Sequence, residues 1–283
     1  CFGGEKTISD GPYIFIDKNE LIEKKIINGK VFSKSLSVNS YKTIFQPGKS
    51  TFNRIRKIAA LSDIHGQYDL LIELLQNNKI IDKNLNWSFG KGHFVIVGDI
   101  FDRGDKVNEI LWFIYELEMQ AKNAGGRVHY LLGNHEYMVL YNDLRYIHEK
   151  YNIASKLLNL EYDQLYDDNT IIGRWLRSKS TIVKINDILF THGGISEDFI
   201  SQEGFDIDKI NNTMRKSIPR LKELRNFRKN GQSKDLYNMY FGNNSLIWYR
   251  GYFEGGLIDT DILNILKLVD ANHIVVGHTS NKK

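Results

Sequence analysis

The sequence predicts an α/β protein in which a central β-sandwich is flanked by helices. Short apolar runs rich in β-branched residues recur between residues 58 and 276, and a polar cluster follows each of them. Segments with helical periodicity separate the runs, and this alternation is typical of sheets covered by helices. The first fifty residues differ, because apolar and polar residues alternate there as in a half-buried antiparallel sheet.

Residues 1–50 are predicted to form an N-terminal extension that contains a small antiparallel β meander. Apolar and polar residues alternate from Gly11 to Leu36, with turn signals at Asp17-Lys18-Asn19 and at Asn28-Gly29. Asn-Gly favours the tight turns that join two antiparallel strands. The candidate site residues all follow this segment in the sequence.

Residues 51–283 are predicted to form the main α/β domain. Continuous apolar runs of this length are typical of strands buried on both faces. The predicted strands are Ile58–Leu61, Phe94–Val97, Val128–Leu132, Thr181–Ile185, Ile188–Thr191 and Ile274–Val276. The predicted helices are Tyr68–Gln76, Val107–Ala124 and Glu136–Lys150.

Two stretches rich in Tyr, Asn and Lys interrupt this pattern, at about 141–179 and 196–244. They contain helical pieces such as "EKYNIASKLLNL" and "RLKELRNFRK". We interpret them as helical insertions that overhang the site. The alternative is that they cover the outside of the sheet.

Composition and charge limit the class of protein. A chain of 283 residues with 42% hydrophobic content can bury a large core. No run of roughly 18 apolar residues occurs, so no membrane-spanning helix is predicted. The net charge of +4 is mild and the basic residues are scattered. No nucleic-acid partner is therefore expected, whereas anionic substrates are compatible with this charge.

Cys1 is the one cysteine, and the sequence does not begin with Met. A disulfide within the chain is therefore impossible. One interpretation is a fragment boundary, which leaves a cytoplasmic location open. The other is the start of a mature bacterial lipoprotein, exported and then held in the periplasm or at the outer membrane by a lipid on Cys1. In that case the lipid anchor is the only expected membrane contact.

Polar side chains cluster where five predicted strands end, which is where sites form in α/β folds. These clusters contain Asp63, His65, Asp99, Asp102, Arg103, Asn134, His135, Glu136, His192 and His278. Carboxylate, amide and imidazole ligands without a thiolate suit Mn, Fe, Zn or Co. Because clustered carboxylates repel one another unless cations compensate them, the pattern predicts a metal site in which Asp99 bridges two ions.

The blocks "DIHG", "GDIFDRGD", "GNHE", "THGG" and "GHT", in this order, resemble the signature of the calcineurin-like metallophosphoesterases, in particular the phosphoprotein phosphatase branch. The strings "GRWLRSKSTIVKINDILFTHGGI" and "LIWYRGYF" are similar to bacterial Shewanella-like protein phosphatases. The resemblance extends from Ile58 to Thr279. It implies the metallophosphoesterase fold with its βαβαβ core.

The resemblance also implies a role for each motif residue. It implies two divalent ions (Mn, Fe or Zn) that activate a water as hydroxide and clamp the phosphate. The first ion would take Asp63, His65 and Asp99, and the second would take Asp99, Asn134, His192 and His278. Arg103, Arg250 and Asn134 would bind the substrate phosphate, since a guanidinium matches phosphate geometry. His135 would donate a proton to the leaving oxygen while Asp102 holds its ring.

The function that follows is a metal-dependent phosphomonoesterase acting on phosphoproteins or phosphopeptides. One alternative is a pyrophosphohydrolase of the bis-nucleoside tetraphosphatase type, which shares most of these blocks. Another is a non-enzymatic, surface-anchored binding protein on a retired phosphatase fold. His93, His129, His148 and His273 lie outside the motif blocks, and we expect them to be structural.

Overall fold

The alternating N-terminal segment folds as a three-stranded antiparallel meander in the computed structural model, which describes residues 7–220 and 235–280. Its strands are β1 (Asp10–Asp17), β2 (Glu20–Ile27) and β3 (Lys30–Ser37), with β2 in the centre. The first two strands bury apolar side chains in the core, namely Tyr13 and Ile14 of β1 and Leu21 and Ile26 of β2. The predicted meander is confirmed.

The next sheet contains three parallel strands joined by two helices. The strands are β5 (Ile58–Leu61), β6 (His93–Ile96) and β7 (Arg127–Tyr130), in the order β5-β6-β7. Helix α1 (Tyr68–Asn77) follows β5, and helix α2 (Val107–Asn123) follows β6. All four residues of β6 are buried, as the continuous apolar run predicts. This is the predicted βαβαβ core.

A second, mixed sheet packs against the first. It contains β4 (Thr51–Phe52), β8 (Ile182–Ile185), β9 (Ile188–Thr191) and β10 (His273–Val275), in the order β10-β9-β8-β4. The two sheets share one buried cluster, formed by Val95, Val97, Leu131, Val183, Ile185 and Phe190. The central β-sandwich is therefore confirmed.

Short helices occupy much of the remaining described chain. They are α3 (Asn134–Leu140), α4 (Glu149–Leu158), α5 (Ile171–Arg177), α6 (Glu197–Glu203), α7 (Ile207–Ser217), α8 (Asp235–Phe241), α9 (Gly251–Glu254) and α10 (Asp259–Leu268), with 3₁₀ turns at Val38–Ser40, Tyr162–Tyr166 and Ile218–Arg220. Apart from Arg220, the predicted helical piece "RLKELRNFRK" lies outside the described residues. None of the helices described is long and apolar enough to cross a membrane.

The prediction of one helix over Glu136–Lys150 is wrong. Helix α3 ends at Leu140, and α4 begins only at Glu149. Asn142 has a left-handed backbone, with φ of 63°, which a continuing helix cannot accommodate. The His148 side chain then accepts a hydrogen bond from the Lys150 N–H and caps α4. The break places residues 141–148 as a loop beside the candidate site.

Candidate active site

The candidate site lies where the strands of both sheets end. Six of its residues are not glycine yet have a left-handed backbone with φ between 43° and 70°: Asp63, His65, Asp99, Asp102, Arg103 and His278. This conformation costs of order 1–3 kcal/mol for each residue and persists only where the surrounding structure imposes it. The tight turns aim the side chains of successive loop residues at one another.

The Asp99 carboxylate lies at the centre of the cluster. Its Oδ2 atom is 3.0 Å from Nε2 of His192, 3.7 Å from Nε2 of His65 and 3.8 Å from Nε2 of His135. Two groups of potential metal ligands occur among the described residues. The first contains His65, Asp99 and His135, and the second contains Asp99, His192 and His278. Asp99 belongs to both groups, which is the geometry expected of a bridging ligand.

Backbone carbonyls orient two of the imidazoles toward Asp99. Nδ1 of His65 is 2.7 Å from the Phe101 carbonyl oxygen, and Nδ1 of His192 is 2.7 Å from that of Val97. A histidine held through Nδ1 presents Nε2 as a ligand. The Nε2 atoms of His65 and His278 are buried without a hydrogen-bond partner among the described residues. These orphaned nitrogens, next to a shared carboxylate, fit divalent metal ions.

The other two predicted ligands join the same cluster. Oδ1 of Asp63 is 3.9 Å from Nε2 of His65, and Oδ2 of Asp63 accepts a hydrogen bond from the His278 N–H at 2.9 Å. Oδ1 of Asn134 is 2.9 Å from Nε2 of His192. The structure therefore brings the six predicted ligand residues near one another, but Asp63 belongs to neither ligand group, whereas His135, predicted as an acid, belongs to the group of His65 and Asp99.

The charges of these groups are strongly coupled. Burial alone would raise the pKa of Asp99, yet the neighbouring His192, His135 and His65 hold it well below its usual range. Burial opposes protonation of His192, but the Asp99 carboxylate raises its pKa to about 9. Burial, with His192 and Arg250 nearby, lowers the pKa of His278 to about 3. Because a histidine binds metal in its neutral form, an ion held by His192 would displace the proton that Asp99 favours.

Arg103 and Arg250 lie on the wall of one open cavity of about 710 Å³ beside the cluster. Asp63, His65 and His278 line the same cavity. The Arg103 side chain is exposed, and Arg250 donates from Nη1 to the His278 carbonyl oxygen at 3.0 Å and to Oγ1 of Thr279 at 3.3 Å. The two cations lie where an anionic substrate would enter.

His135 and Asp102 form a buried pair. Nδ1 of His135 is 2.5 Å from Oδ2 of Asp102, whose side chain is fully buried. Burial alone would lower the pKa of His135, yet this hydrogen bond and the nearby Asp99 raise it. The Tyr146 ring, 45% exposed, lies with its centroid 5.4 Å from that of His135. Sequence reasoning missed Tyr146, because it reaches the site only through the break between α3 and α4.

Glu136 is a second residue whose role the sequence did not indicate, although the "GNHE" block contains it. Its buried carboxylate accepts hydrogen bonds from the backbone N–H groups of Asp99, Ile100, Phe101 and Gly133, and from the Tyr130 hydroxyl. Five donors fix the carboxylate and the loop after β6. Glu136 thus shapes the loop that carries Asp99 and Asp102.

Two motif glycines allow this close approach. A Cβ atom on Gly133 would lie 2.3 Å from Oδ1 of Asp99, and one on Gly98 would lie 2.8 Å from Nδ1 of His192. Both distances are shorter than any tolerated non-bonded contact. A side chain at either position would displace the ligand residues.

The histidines outside the motif blocks lie elsewhere. His93 and His129 are buried side by side, with Nδ1 of His93 2.9 Å from Nε2 of His129. Phe52 packs edge-on against both rings. His148 caps α4, and His273 begins β10. None of the four belongs to the two potential ligand groups of the described residues.

Comparison with known proteins matches this arrangement. The family model described as calcineurin-like phosphoesterase matches residues 56–281. The crystal structure of a cold-active protein-tyrosine phosphatase from a psychrophilic Shewanella species superposes with a TM-score of 0.90 at 44% identity, covering 98% of this chain and 86% of that chain.

Two sequence relatives have names that indicate different activities. Shewanella-like protein phosphatase 1 of Plasmodium berghei is 29% identical over 98% of this chain and 71% of its own length. A symmetrical bis(5'-nucleosyl)-tetraphosphatase of Histophilus somni is 30% identical, but over 49% of this chain and 45% of its own length. The phosphatase match thus spans about twice as much of the chain.

Proposed function

Since the chain belongs to the calcineurin-like phosphoesterase family and is a metal-dependent phosphatase, we propose that its substrates are phosphate monoesters on proteins or peptides, with phosphotyrosine preferred. The observation that carries this proposal is the position of Asp99, which is common to two groups of potential ligands. Both groups lie beside a cavity lined by Arg103 and Arg250. A carboxylate that two metal ions can share, beside two arginines that can bind phosphate oxygens, suits hydrolysis of a phosphate dianion.

The donor set defines which residues would hold the ions. Asp63, His65 and Asp99 would hold one, and Asp99, Asn134, His192 and His278 the other. Two such ions supply Lewis-acid charge and a water that is activated near neutral pH. Carboxylate, amide and imidazole donors without thiolate favour Mn, Fe or Zn.

The arginines bind the part of the phosphate that faces the cavity. Arg103 is free to reach an incoming phosphate, because its exposed side chain has no ion-pair partner among the described residues. Arg250 is held by the His278 carbonyl oxygen and by Thr279, so its guanidinium is oriented before substrate arrives. A guanidinium fixed in this way loses less freedom on binding.

His135 is positioned to protonate the leaving oxygen. Asp102 holds its Nδ1 atom, so Nε2 is the atom that faces the site, 3.8 Å from Oδ2 of Asp99. The raised pKa of His135 favours the protonated imidazole that a general acid needs.

The leaving group must lie next to its acid, and this places it beside Tyr146. The exposed Tyr146 ring contacts the His135 ring. The Tyr146 carbonyl oxygen accepts a hydrogen bond from the backbone N–H of Arg103 at 2.9 Å. A phenyl leaving group can pack on this ring, and such aromatic pairs contribute about 0.5–1.5 kcal/mol. The name of the Shewanella relative, a protein-tyrosine phosphatase, supports the same preference.

The alternatives make different demands on the cavity. A dinucleoside polyphosphate needs a slot in which a base can stack between two surfaces, whereas a phenyl leaving group needs only one ring, which Tyr146 supplies beside His135. A retired binding protein would not need its ligands, yet every predicted ligand position holds a competent residue. The predicted lipid on Cys1 falls outside the described residues and stays a prediction.

One experiment tests the proposal. Metal content of the purified chain is measured, and kcat/KM is then compared for phosphotyrosine peptides, phosphoserine peptides and a dinucleoside tetraphosphate. We expect bound divalent metal and a preference for phosphotyrosine that Tyr146→Ala reduces several-fold and Tyr146→Phe retains. Faster turnover of the dinucleoside substrate would overturn the monoester assignment. An equal loss on both peptides in Tyr146→Ala would remove the role of the ring.

A further inference from the structure

Within residues 7–220 and 235–280, no strand pairs with one edge of β7, and we call this its open edge. Strand β7 is the last strand of the order β5-β6-β7, and the N–H groups of Arg127 and Leu131 donate toward the β6 side, to the carbonyl oxygens of Gly92 and Ile96. Backbone groups alternate in direction along a strand, so the N–H groups of Val128 and Tyr130 face away from β6. After these residues, the Leu132 N–H donates to the Ser180 carbonyl oxygen on the side away from β6. This hydrogen bond occupies only the end of the open edge.

A cavity of about 440 Å³ lies along this open edge, and residues 127–131 all line it. Its other walls come from the chain between Lys42 and Lys49, the last turns of α2 and residues 175–180. It shares no lining residue with the cavity that contains Arg103 and Arg250. The groove is therefore separate from the catalytic site.

The groove is strongly basic. Five cationic residues line it, namely Lys42, Lys49, Lys122, Arg127 and Lys179, and the one acidic residue is Glu118. Glu118 is committed to Lys179, with Oε1 and Oε2 at 2.5 and 2.7 Å from Nζ. The other four cations are exposed, and no carboxylate of the described residues lies within ion-pair distance of them. The Arg127 guanidinium lies over the Phe52 ring, 5.0 Å from its centroid, so the uncompensated positive charge of the groove comes mainly from Lys42, Lys49 and Lys122.

Apolar surface lies between these charges. Tyr115 and Trp175 line the groove together with Phe45 and Met119, whose side chain is 53% exposed. The Trp175 ring is held in place, because Nε1 donates to Glu118 at 2.8 Å and the Lys179 ammonium lies 4.1 Å from a ring centroid. The groove therefore offers hydrogen bonds, positive charge and apolar contacts together.

We propose that this groove binds an extended acidic segment of a partner protein, which adds to the sheet as a strand on the open edge of β7. Main-chain hydrogen bonds to Val128 and Tyr130 would supply affinity, as in other cases of strand addition. The lysines repel basic strands and would lose hydration against neutral ones, which protects the edge from indiscriminate pairing, but they attract an acidic strand. Because successive side chains of a strand face opposite sides, the preferred segment alternates acidic and apolar residues over about five positions.

The test uses the full chain and a fluorescent six-residue peptide that alternates Glu and Val. Binding is followed by fluorescence anisotropy, in inorganic phosphate so that the catalytic arginines are occupied. We expect the Glu peptide to bind and a peptide with Lys in place of Glu to bind at least about tenfold more weakly. Equal binding of the two peptides would overturn the proposal.

Backbone pairing is tested separately from charge. N-methylation of alternate peptide residues removes the N–H groups on one side only, so one methylated register should abolish binding and the other should retain it. In residue-resolved hydrogen exchange, peptide should slow the amides of Val128 and Tyr130 at least about tenfold, while Arg127 and Leu131 change little because they already donate to β6. Equal effects of the two registers, or no protection of these amides, would show simple anion attraction and refute strand addition.

Matched variants locate the peptide. Lys49→Glu combined with Lys122→Glu should weaken the Glu peptide at least about tenfold, while hydrolysis of a small aryl phosphate stays unchanged. Lys83→Glu, an exposed lysine outside the groove, should leave binding intact. If Lys83→Glu weakens binding as much per charge as the groove variant does, the peptide responds to net charge and the proposal fails. Loss of peptide binding with phosphatase activity retained separates this inference from the proposed function.

Discussion

Oε2 of Glu136 lies 2.8 Å from the backbone nitrogen of Asp99 and accepts its N–H. Four further donors converge on the same buried carboxylate. Asp99, in the loop after β6, is therefore held from the start of α3. The position of the candidate bridging ligand thus depends on a carboxylate that does not itself face the site.

Glu136→Gln should disturb the site without removing a ligand. The amide NH2 group cannot accept the N–H bonds that one carboxylate oxygen now accepts, and each lost charge-assisted bond costs about 1.5–3 kcal/mol. We expect a lower free energy of unfolding and a metal affinity reduced roughly 10–100-fold, measured by urea unfolding and metal titration. Glu116→Gln, at an exposed position of α2, serves as control. Unchanged metal affinity in Glu136→Gln would contradict the role given to this residue.

Asp99→Asn should impair both potential ion sites. An amide cannot supply negative charge to two cations, so we expect metal content to fall and activity to drop by at least about 10²-fold. Chelation of the wild-type protein should inactivate it, and manganese should restore it. Asp105→Asn, an exposed carboxylate of the same loop, should keep both metal and activity. Full activity after exhaustive metal removal would be incompatible with the proposed mechanism.

Arg103→Ala and Arg250→Ala should weaken phosphate binding for different reasons. Each loses a charge-assisted contact worth on the order of 1.5–3 kcal/mol, but Arg250 also supports the backbone at His278. We therefore expect Arg103→Ala to weaken inhibition by inorganic phosphate with metal content intact. Arg250→Ala should in addition lower metal affinity. Retained phosphate inhibition in Arg103→Ala would remove this residue from the substrate site.

His135→Asn should slow poor leaving groups most. An alkoxide needs a proton far more than a nitrophenolate does, so turnover of an alkyl phosphate should fall by roughly 10²–10⁴ and that of p-nitrophenyl phosphate much less. The check is kcat across a leaving-group series, with metal content measured in the same preparation. His135 also lies in a potential ligand group with His65 and Asp99. A loss of metal, or a loss of rate that ignores leaving-group pKa, would assign it to metal binding instead.

The His93–His129 pair should make the folded state sensitive to acid. Burial, with Arg127 nearby, lowers the pKa of His93 to about 4, and burial with His93 nearby also lowers the pKa of His129. As pH falls below the usual value of 6.5, the unfolded chain takes up protons that the folded chain refuses, so stability is lost from there down to the folded pKa. In metal-free protein, His93→Gln should reduce the loss in urea midpoint between about pH 7 and pH 5. His273→Gln, at an exposed position, should not.

Much of the fold can be predicted from the sequence because its signals are local. Helices α1 and α2 lie within a residue of their predicted bounds, since polar loops bracket each apolar periodic segment. The break between α3 and α4 was missed because no Gly or Pro marks it. Only the left-handed Asn142 ends the helix, and a short polar residue tolerates either conformation.

The candidate ligands could be predicted because each follows a strand within a short motif. The role of Glu136 could not, since it depends on five donors that meet only in three dimensions. Tyr146 was also missed, because an aromatic residue in a polar loop carries no signal until the loop is placed against His135. Motifs thus locate the candidate site residues in the sequence, whereas the groups that hold or flank them emerge from packing.

The left-handed residues of the site have a consequence for directed evolution. Glycine at such a position relieves about 1–2 kcal/mol of strain against an added backbone entropy of about 0.5–1 kcal/mol. A library selected for heat tolerance alone would therefore accept glycine at His278, whose buried Nε2 has no hydrogen-bond partner among the described residues, and yield robust but inert proteins. Selection has to score turnover and thermal survival on the same clone.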